Sequence, residues 1–168
     1  MKIRKAEISD AEAIMKINVD TWQQAYRGLM PDDVLEQRVC SPERAERWRK
    51  NIKKTLSGAT AIYVAEDENS RLAGFVWGGE SRDGNVPRHI ELYAFYVHPE
   101  AQKKGYGKAL FEAFRKYAAG KFYLYMLEGN KQAQNFYKRT GGVLMPQFAK
   151  ESSHSGSKRL KEVCWFFE

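Results

Sequence analysis

The sequence has few of the residues that build metal centres or disulfide frameworks. Its two cysteines, Cys40 and Cys164, lie far apart and form no CxxC or Cys/His spacing. The three histidines, His89, His98 and His154, form no ligand cluster in the sequence. We therefore expect free thiols and no metal site, with Cys164 in the core rather than in catalysis.

Long apolar runs and a leader-like N-terminus are also missing. A membrane-spanning helix needs about 18 consecutive apolar residues, and no stretch of this sequence approaches that length. The opening segment MKIRKAEISD is charged throughout. Both features predict a cytoplasmic protein with no membrane partner. With 168 residues, the chain is expected to form a single domain over 1–168.

Acidic residues are outnumbered, with 21 Asp and Glu against 28 Lys and Arg, which gives a net charge of +7. This charge favours anionic partners such as nucleic acid, a membrane surface or a polyphosphate. The sequence contains no helix–turn–helix, zinc-finger or RNP signature, and its basic residues are dispersed outside 44–54 and 103–108. We therefore expect no nucleic-acid partner.

The order of periodic segments predicts an α/β fold with a mixed sheet of about six to seven strands flanked by helices. The predicted order is β-α-α-β-β-β-α-β-α-β-β. The three strands between residues 59 and 99 are separated by turn clusters, so they are expected to form an antiparallel meander. Two β-α-β crossovers, over 91–127 and from 121 onward, are expected to supply the parallel part of the sheet.

Residues 96–114, YVHPEAQKKGYGKALFEAF, place two glycines and three lysines where a helix is predicted to begin. A helix N-terminus carries unsatisfied N–H groups and partial positive charge. Gly105 and Gly107 would let a phosphate approach this backbone closely. The segment alone is compatible with an anion site and with an ordinary strand-to-helix turn.

Two common phosphate motifs do not fit this turn. The pattern GxxxxGK[ST] fails because Gln102 stands where a glycine is required and Ala109 follows Lys108. The dinucleotide pattern GxGxxG fails because Leu110 occupies its third glycine position.

A further pattern after the next predicted strand identifies the loop. It consists of Asn130, Ala133, Phe136, Tyr137 and Gly141-Gly142. The combination strand–QxxGxG–helix–strand–NxxAxxFYxxxGG resembles the GNAT N-acetyltransferase superfamily. The resemblance is specific over 91–142 and looser over the rest of the chain.

The resemblance implies a GNAT-like fold, acetyl-CoA as cosubstrate, and direct acetyl transfer to an amine. It also implies that the amides of residues 102–108 bind the pyrophosphate and that the preceding strand lines the pantetheine arm. The outer phosphate is expected to meet Lys103, Lys104, Lys138 or Arg139. The residues assigned to cofactor binding are Phe95, Tyr96, Val97, Gln102, Lys103, Lys104, Gly105, Tyr106, Gly107, Lys108, Asn130, Phe136, Tyr137 and Lys138.

Two residues are assigned to proton transfer. By resemblance, Tyr137 is the general acid that protonates the leaving thiolate; packing against the sheet is the alternative role of its ring. Glu91 is the candidate general base, because strand alternation in HIELYAFYV is expected to place it on one face with Tyr93, Phe95 and Val97. Glu128 is the alternative base.

The acceptor is predicted only as an amine, on a small molecule or on a protein. The resemblance offers Trp22, Tyr26, Trp77 and Tyr93 as candidate walls of the acceptor groove, although core packing would also explain them. The net charge of +7 disfavours a polycationic acceptor. A non-catalytic acyl-CoA sensor is the alternative function, and the protein is expected to be a monomer or a homodimer.

Overall fold

A seven-stranded sheet organises the molecule, with strand order β1-β2-β3-β4-β5-β7-β6. The computed structural model describes residues 1–152 and 159–168, so His154 lies outside the described residues. The strands are β1 (Lys2–Lys5), β2 (Thr60–Glu66), β3 (Leu72–Glu80), β4 (Ile90–Val97), β5 (Phe122–Leu127), β6 (Val143–Glu151) and β7 (Lys161–Phe167). The α-helices are α1 (Ala11–Ala25), α2 (Asp32–Glu36), α3 (Pro42–Lys54), α4 (Tyr106–Tyr117) and α5 (Lys131–Arg139).

This arrangement confirms the predicted α/β fold; the short α2 lies in the segment DDVLEQRV, which also reads as helical in the sequence although the predicted order counts only two helices before β2. Strands β2, β3 and β4 form the predicted antiparallel meander, and β4 pairs with β5 in parallel. The second crossover differs from the prediction. Strand β7 lies between β5 and β6 and is antiparallel to both, so this crossover adds no neighbouring parallel pair.

The two faces of the sheet are covered by different helices. Helix α4 packs on one face through Leu110, Phe111 and Phe114, which are fully buried and belong to one cluster with residues of α5. Helices α1 and α3 cover the other face, where Ile14 and Ile52 pack together with Phe75 of β3. Within the described residues, no helix combines the length and apolar composition that a bilayer crossing requires.

Strand β4 contains a bulge opposite β3. Trp77 pairs with Ala94 and Gly78 pairs with Leu92, so that Tyr93 is the extra residue. Glycine at position 78 permits the close approach, because a Cβ there would overlap the carbonyl oxygen of Glu91 and the ring of Phe114.

The bulge changes which residues of β4 share a face. Leu92 and Phe95 both belong to the cluster on the α4 side, although three positions separate them. Ala94 and Tyr96 belong to the cluster on the α1 side. Unbroken alternation would have placed Leu92 with Ala94 and Tyr96 instead.

Candidate active site

A cavity of about 390 Å³ lies where β4 and β5 separate. The two strands pair only at Glu91 and Leu92, opposite Tyr123 and Leu124, and they diverge beyond these residues. Beyond Leu92 the cavity occupies the gap. Its walls are Thr21, Ala25 and Tyr26 of α1, residues 92–97 of β4, Gln102, Lys103, Gly105, Gly107 and Lys108 of the following turn and helix, Tyr125 and Met126 of β5, and Asn130, Gln132, Ala133, Phe136, Tyr137 and Arg139 around α5.

One end of the cavity is formed by the N-terminus of α4. Gly105 caps this helix in the left-handed region, with φ of 90°, a conformation that glycine adopts without strain. The first backbone N–H of α4 to donate a hydrogen bond is that of Ala109, which lies 3.1 Å from the Gly105 carbonyl oxygen. The N–H groups of residues 103–108 donate no hydrogen bond to any described residue. They are therefore free to bind an anion.

Gly107 keeps this end of the cavity open. A Cβ at this position would lie 3.6 Å from Phe95 and Val97, so a side chain would fill the space next to the free amides. The charged residues on the cavity wall are Lys103, Lys108 and Arg139, and no carboxylate of the described residues lines it. A polyphosphate therefore fits this end both sterically and electrostatically.

The cavity brings together most residues predicted for cofactor binding: Phe95, Tyr96, Val97, Gln102, Lys103, Gly105, Gly107, Lys108, Asn130, Phe136 and Tyr137. Three others lie elsewhere. Lys104 and Tyr106 border a separate depression beside Asp10 and His98. Lys138 is exposed and does not line the cavity.

Asn130 positions helix α5 at the cavity. Its Oδ1 accepts a hydrogen bond of 3.0 Å from the Ala133 amide, which is the N-cap geometry that favours helix initiation. The same residue lines the cavity. Helix capping and contact with a ligand are thus compatible at this position.

Tyr137 is held by aromatic packing and presents its hydroxyl without a protein partner. Its ring centroid lies 6.2 Å from that of Phe111 and 6.1 Å from that of Phe167. The hydroxyl forms no hydrogen bond with the described residues. Burial, together with the neighbouring Tyr96, raises the pKa of Tyr137 above its usual range, so the phenol is protonated at neutral pH.

The structure corrects the expected orientation of Glu91. Because of the bulge at Tyr93, Glu91 does not share a face with Phe95 and Val97. Glu91 as a whole residue is only 4% exposed, and it does not line the cavity. It forms a bidentate pair with Arg82, at 2.5 and 3.1 Å, and accepts a hydrogen bond of 3.1 Å from the Tyr123 hydroxyl. Glu128, the alternative base, is exposed, and its Oε1 lies 3.3 Å from the Nζ of Lys161.

The aromatic residues predicted as acceptor walls divide into two pairs. Tyr26 and Tyr93 line the cavity. Trp22 and Trp77 lie behind the wall in hydrophobic clusters, and Trp22 donates a hydrogen bond of 2.8 Å to the Tyr96 hydroxyl. Burial raises the pKa of Tyr26 and of Tyr96, and it raises the pKa of Tyr93 to about 12.

Two polar residues, one on the α1 side of the cavity wall and one behind it, were not singled out from the sequence. Thr21 lines the cavity, and its buried hydroxyl has no hydrogen-bond partner among the described residues. Arg38 places its guanidinium 3.2 Å from the centroid of the Trp22 ring. Helical spacing on α1 relates Thr21 to Ala25 and Tyr26, whereas no sequence pattern marks Arg38, which follows α2 in an irregular segment.

The thiols and the potential metal ligands stand apart from this site. Cys164 is fully buried, as predicted, and burial raises the pKa of its thiol to about 12. Cys40 is exposed. Among the residues that the structure describes, no group of three or more His, Cys, Asp or Glu side chains is placed to hold a metal ion.

Comparisons with known proteins agree with this geometry. The chain is 28% identical over 165 residues to the N-acetyltransferase YuaI of Bacillus subtilis, covering 96% of this chain and 89% of that protein. It is 23% identical to the spermidine N(1)-acetyltransferase of Thermoplasma acidophilum, with coverage of 84% and 87%. The crystal structure of the PaiA N-acetyltransferase of T. acidophilum with coenzyme A superposes with a TM-score of 0.75 at 21% identity and covers 96% of each chain. The model of the acetyltransferase (GNAT) family matches residues 13–142, and the chain therefore belongs to this family.

Proposed function

We propose that the protein transfers the acetyl group of acetyl-CoA to an amine. The observation that carries this proposal is one cavity that connects the free amides of α4, the gap between β4 and β5, and the hydroxyl of Tyr137. Family membership supports acetyl transfer, and the likeness to a coenzyme A complex supports the choice of cosubstrate.

The protein groups match the parts of this cosubstrate. The amides of residues 103–108 and the side chains of Lys103, Lys108 and Arg139 would hold the phosphates. Residues 95–97 of β4 face the gap and would align the pantetheine arm, with an N–H of this segment polarising the thioester carbonyl. Bound acetyl-CoA supplies the activated acetyl group.

Two protons must move during transfer. The amine nitrogen forms the C–N bond as the C–S bond breaks, so the nitrogen loses a proton and the sulfur gains one. Tyr137 donates the proton to the sulfur, a role supported by its protonated hydroxyl on the cavity wall. Glu91 accepts the proton of the amine through water, a role supported by its place directly before Leu92 and Tyr93 of the wall and by the lack of a lining carboxylate among the described residues.

The acceptor is proposed to be something other than a polyamine. One relative is named for spermidine, which carries several positive charges. In this chain the described cavity wall contains three cationic side chains and no carboxylate. Since those cations would pair with the phosphates of acetyl-CoA, it is the lack of a lining carboxylate among the described residues that leaves a polycation without a binding partner on this wall.

The decisive experiment measures free thiol released from acetyl-CoA in the presence of a panel of amines, with the products identified by mass spectrometry. Acetyl transfer predicts release that depends on the amine. Binding of acetyl-CoA by calorimetry without release for any amine would contradict transfer and would indicate an acyl-CoA sensor.

A further inference from the structure

The cavity passes through the sheet at the gap between β4 and β5, because its wall contains residues from both sheet faces. On the face covered by α4, the lining side chains belong to one hydrophobic cluster: Leu92, Phe95, Val97, Met126, Ala133, Phe136 and Tyr137. The free amides at the start of α4 and the proposed proton donor Tyr137 lie on this side. The proposed cosubstrate thus occupies the α4 side, and the side next to α1 is left for the acceptor.

Four tyrosines dominate the cavity next to α1. This α1-side wall consists of Thr21, Ala25, Tyr26, Tyr93, Ala94, Tyr96 and Tyr125. Ala94 and Tyr96 pack with α1, and the ring of Tyr93 lies 5.0 Å from that of Trp77 in the same cluster. Tyr125 packs on the face of β5 opposite to its two neighbours in the chain. The charged side chains of the described cavity wall all lie around α4 and α5, so the α1-side wall is uncharged and largely aromatic.

The hydroxyl groups of three of these tyrosines are bonded to the protein. Tyr125 donates a hydrogen bond of 2.8 Å to Oδ2 of Asp83, and Tyr93 donates one to the carbonyl oxygen of Glu80. The hydroxyl of Tyr96 accepts a hydrogen bond of 2.8 Å from the indole N–H of a tryptophan on α1. None of these three partners lines the cavity. A ligand on the α1 side therefore meets mainly the rings of these tyrosines.

Two of the rings already carry a cation of the protein. The guanidinium carbon of Arg82 lies 3.9 Å from the centroid of the Tyr93 ring, and the ammonium nitrogen of Lys150 lies 3.5 Å from that of the Tyr125 ring. Neither cation lines the cavity, so each lies behind its ring as seen from the cavity. Each cation already uses the attraction of its ring for positive charge, and it would repel a second cation on the cavity side. A neutral apolar group fits this wall better than a charged one.

We infer that the acceptor amine carries an aromatic ring, which packs against the α1-side wall while the amine faces the gap between β4 and β5. The inference rests on the proposed acetyl transfer. Aromatic rings attract one another in edge-to-face and offset arrangements beyond the effect of apolar burial, and the tyrosines of this wall offer such contacts. An uncharged, partly dehydrated wall also lowers the pKa of an amine beside it, because desolvation disfavours the charged form. The same wall would thus help to supply the neutral nucleophile.

The test compares three primary amines by kcat/KM with the wild type. These are 2-phenylethylamine, 2-cyclohexylethylamine, which has a ring of the same size without π-electrons, and ethanolamine, which has no ring. We expect 2-phenylethylamine to exceed ethanolamine about 10- to 100-fold, the range for burying an aromatic side chain. It should exceed 2-cyclohexylethylamine about 2- to 10-fold, the range for contacts between aromatic rings.

Variants of the wall locate this preference. Tyr26→Leu and Tyr125→Leu should each lower the ratio of kcat/KM between the phenyl and cyclohexyl amines, whereas Tyr26→Phe and Tyr125→Phe should retain it, because the rings are kept. Dividing the ratios of variant and wild type cancels the different basicities of the two amines. Tyr63→Leu is the matched control, since Tyr63 packs on the α4-side cluster without lining the cavity, and it should leave the ratio unchanged.

A readout without turnover is the affinity of the CoA-loaded protein for the two acetylated products, measured by calorimetry. N-(2-phenylethyl)acetamide should bind more tightly than N-(2-cyclohexylethyl)acetamide, and Tyr26→Leu should reduce the difference.

The outcomes separate this inference from the proposed function. Equal kcat/KM for the two ring amines in the wild type, a preference for ethanolamine, or a ratio that the leucine variants leave unchanged would overturn the inference while acetyl transfer stands. Absence of thiol release with every amine would overturn acetyl transfer and the inference with it.

Discussion

Tyr137 combines a packed ring with a hydroxyl that forms no hydrogen bond with the described residues. Phenylalanine would keep the contacts with Phe111 and Phe167 and would remove only the proton donor. We therefore expect Tyr137→Phe to bind acetyl-CoA with unchanged affinity and to lose about 10²- to 10⁴-fold in kcat, as for a lost general acid. Calorimetry and steady-state kinetics measure the two quantities.

Tyr117→Phe provides the control for this substitution. The Tyr117 hydroxyl is directed to the Gly58 carbonyl oxygen, and the residue does not line the cavity, so kcat should not change. A Tyr137→Phe protein with the kcat of the wild type would limit Tyr137 to a packing role.

Glu91 combines a buried ion pair with a proposed proton-accepting role. We expect Glu91→Gln to lower kcat/KM and to alter the acidic limb of its pH profile, because glutamine cannot take up a proton. The affinity for acetyl-CoA should stay the same, since Glu91 does not line the cavity. The pH dependence of kcat/KM is the measurement.

Breaking the pair with Arg82 could itself reduce activity, so the control removes the other partner. Arg82→Gln keeps the carboxylate and loses the bidentate contact. If both variants show the same pH profile, Glu91 serves only to hold Arg82, and the base must be sought elsewhere.

At the scale of elements, the N-terminus of α4 is the proposed binding site for the phosphates of acetyl-CoA. A Cβ at Gly107 would make only ordinary contacts, at 3.6 Å, so Gly107→Ala and Gly107→Glu should both fold. We expect alanine to weaken acetyl-CoA binding moderately and glutamate to abolish it, because glutamate adds bulk and negative charge beside the phosphate-binding amides. Calorimetry should give an affinity for acetyl-CoA that falls from the wild type to Gly107→Ala to Gly107→Glu, and thermal unfolding checks that both variants fold. Equal affinities of the three proteins would place the phosphates elsewhere.

The bulge of β4 is the element that separates the two sides of the site. It directs Phe95 towards α4 and α5, and Tyr96 towards α1. One short segment therefore contributes to the α4 side and to the α1 side of the cavity. The glycine at position 78 makes this possible, because a side chain there would collide with Glu91 and Phe114.

At the scale of the whole molecule, buried tyrosines link stability to alkaline pH. Burial raises the pKa of Tyr26, Tyr96 and Tyr137 in the folded protein. Below about pH 10 the phenols are neutral in both states; above it the unfolded chain loses protons that the folded protein retains. We expect the free energy of unfolding to fall above about pH 10, by up to about 1.4 kcal/mol per pH unit for each such group.

Denaturant titrations at a series of pH values measure this effect. The Tyr137→Phe variant should show a shallower decline, since one of the three groups is removed. A free energy of unfolding that does not change between pH 9 and 11 would contradict the buried, neutral state of these hydroxyls.

The sequence by itself determined the local features of the site. The turn before α4 and the N-cap at Asn130 could be read from a few neighbouring residues, because glycine conformations and capping hydrogen bonds depend on adjacent backbone. Leu110 and Phe114, four positions apart, likewise share the buried face of α4, as helical spacing requires. These are interactions between residues a few positions apart.

Only the tertiary structure decided which side chains face one another. The face on which Glu91 lies depends on a bulge that forms against β3, and the separation of β5 from β6 depends on the insertion of β7. The stacking of Arg38 on Trp22, without an ion pair to any described residue, is likewise visible only in the folded structure. Strand register and ion pairing are set by residues distant in the chain, so alternation and charge along the sequence could not determine them.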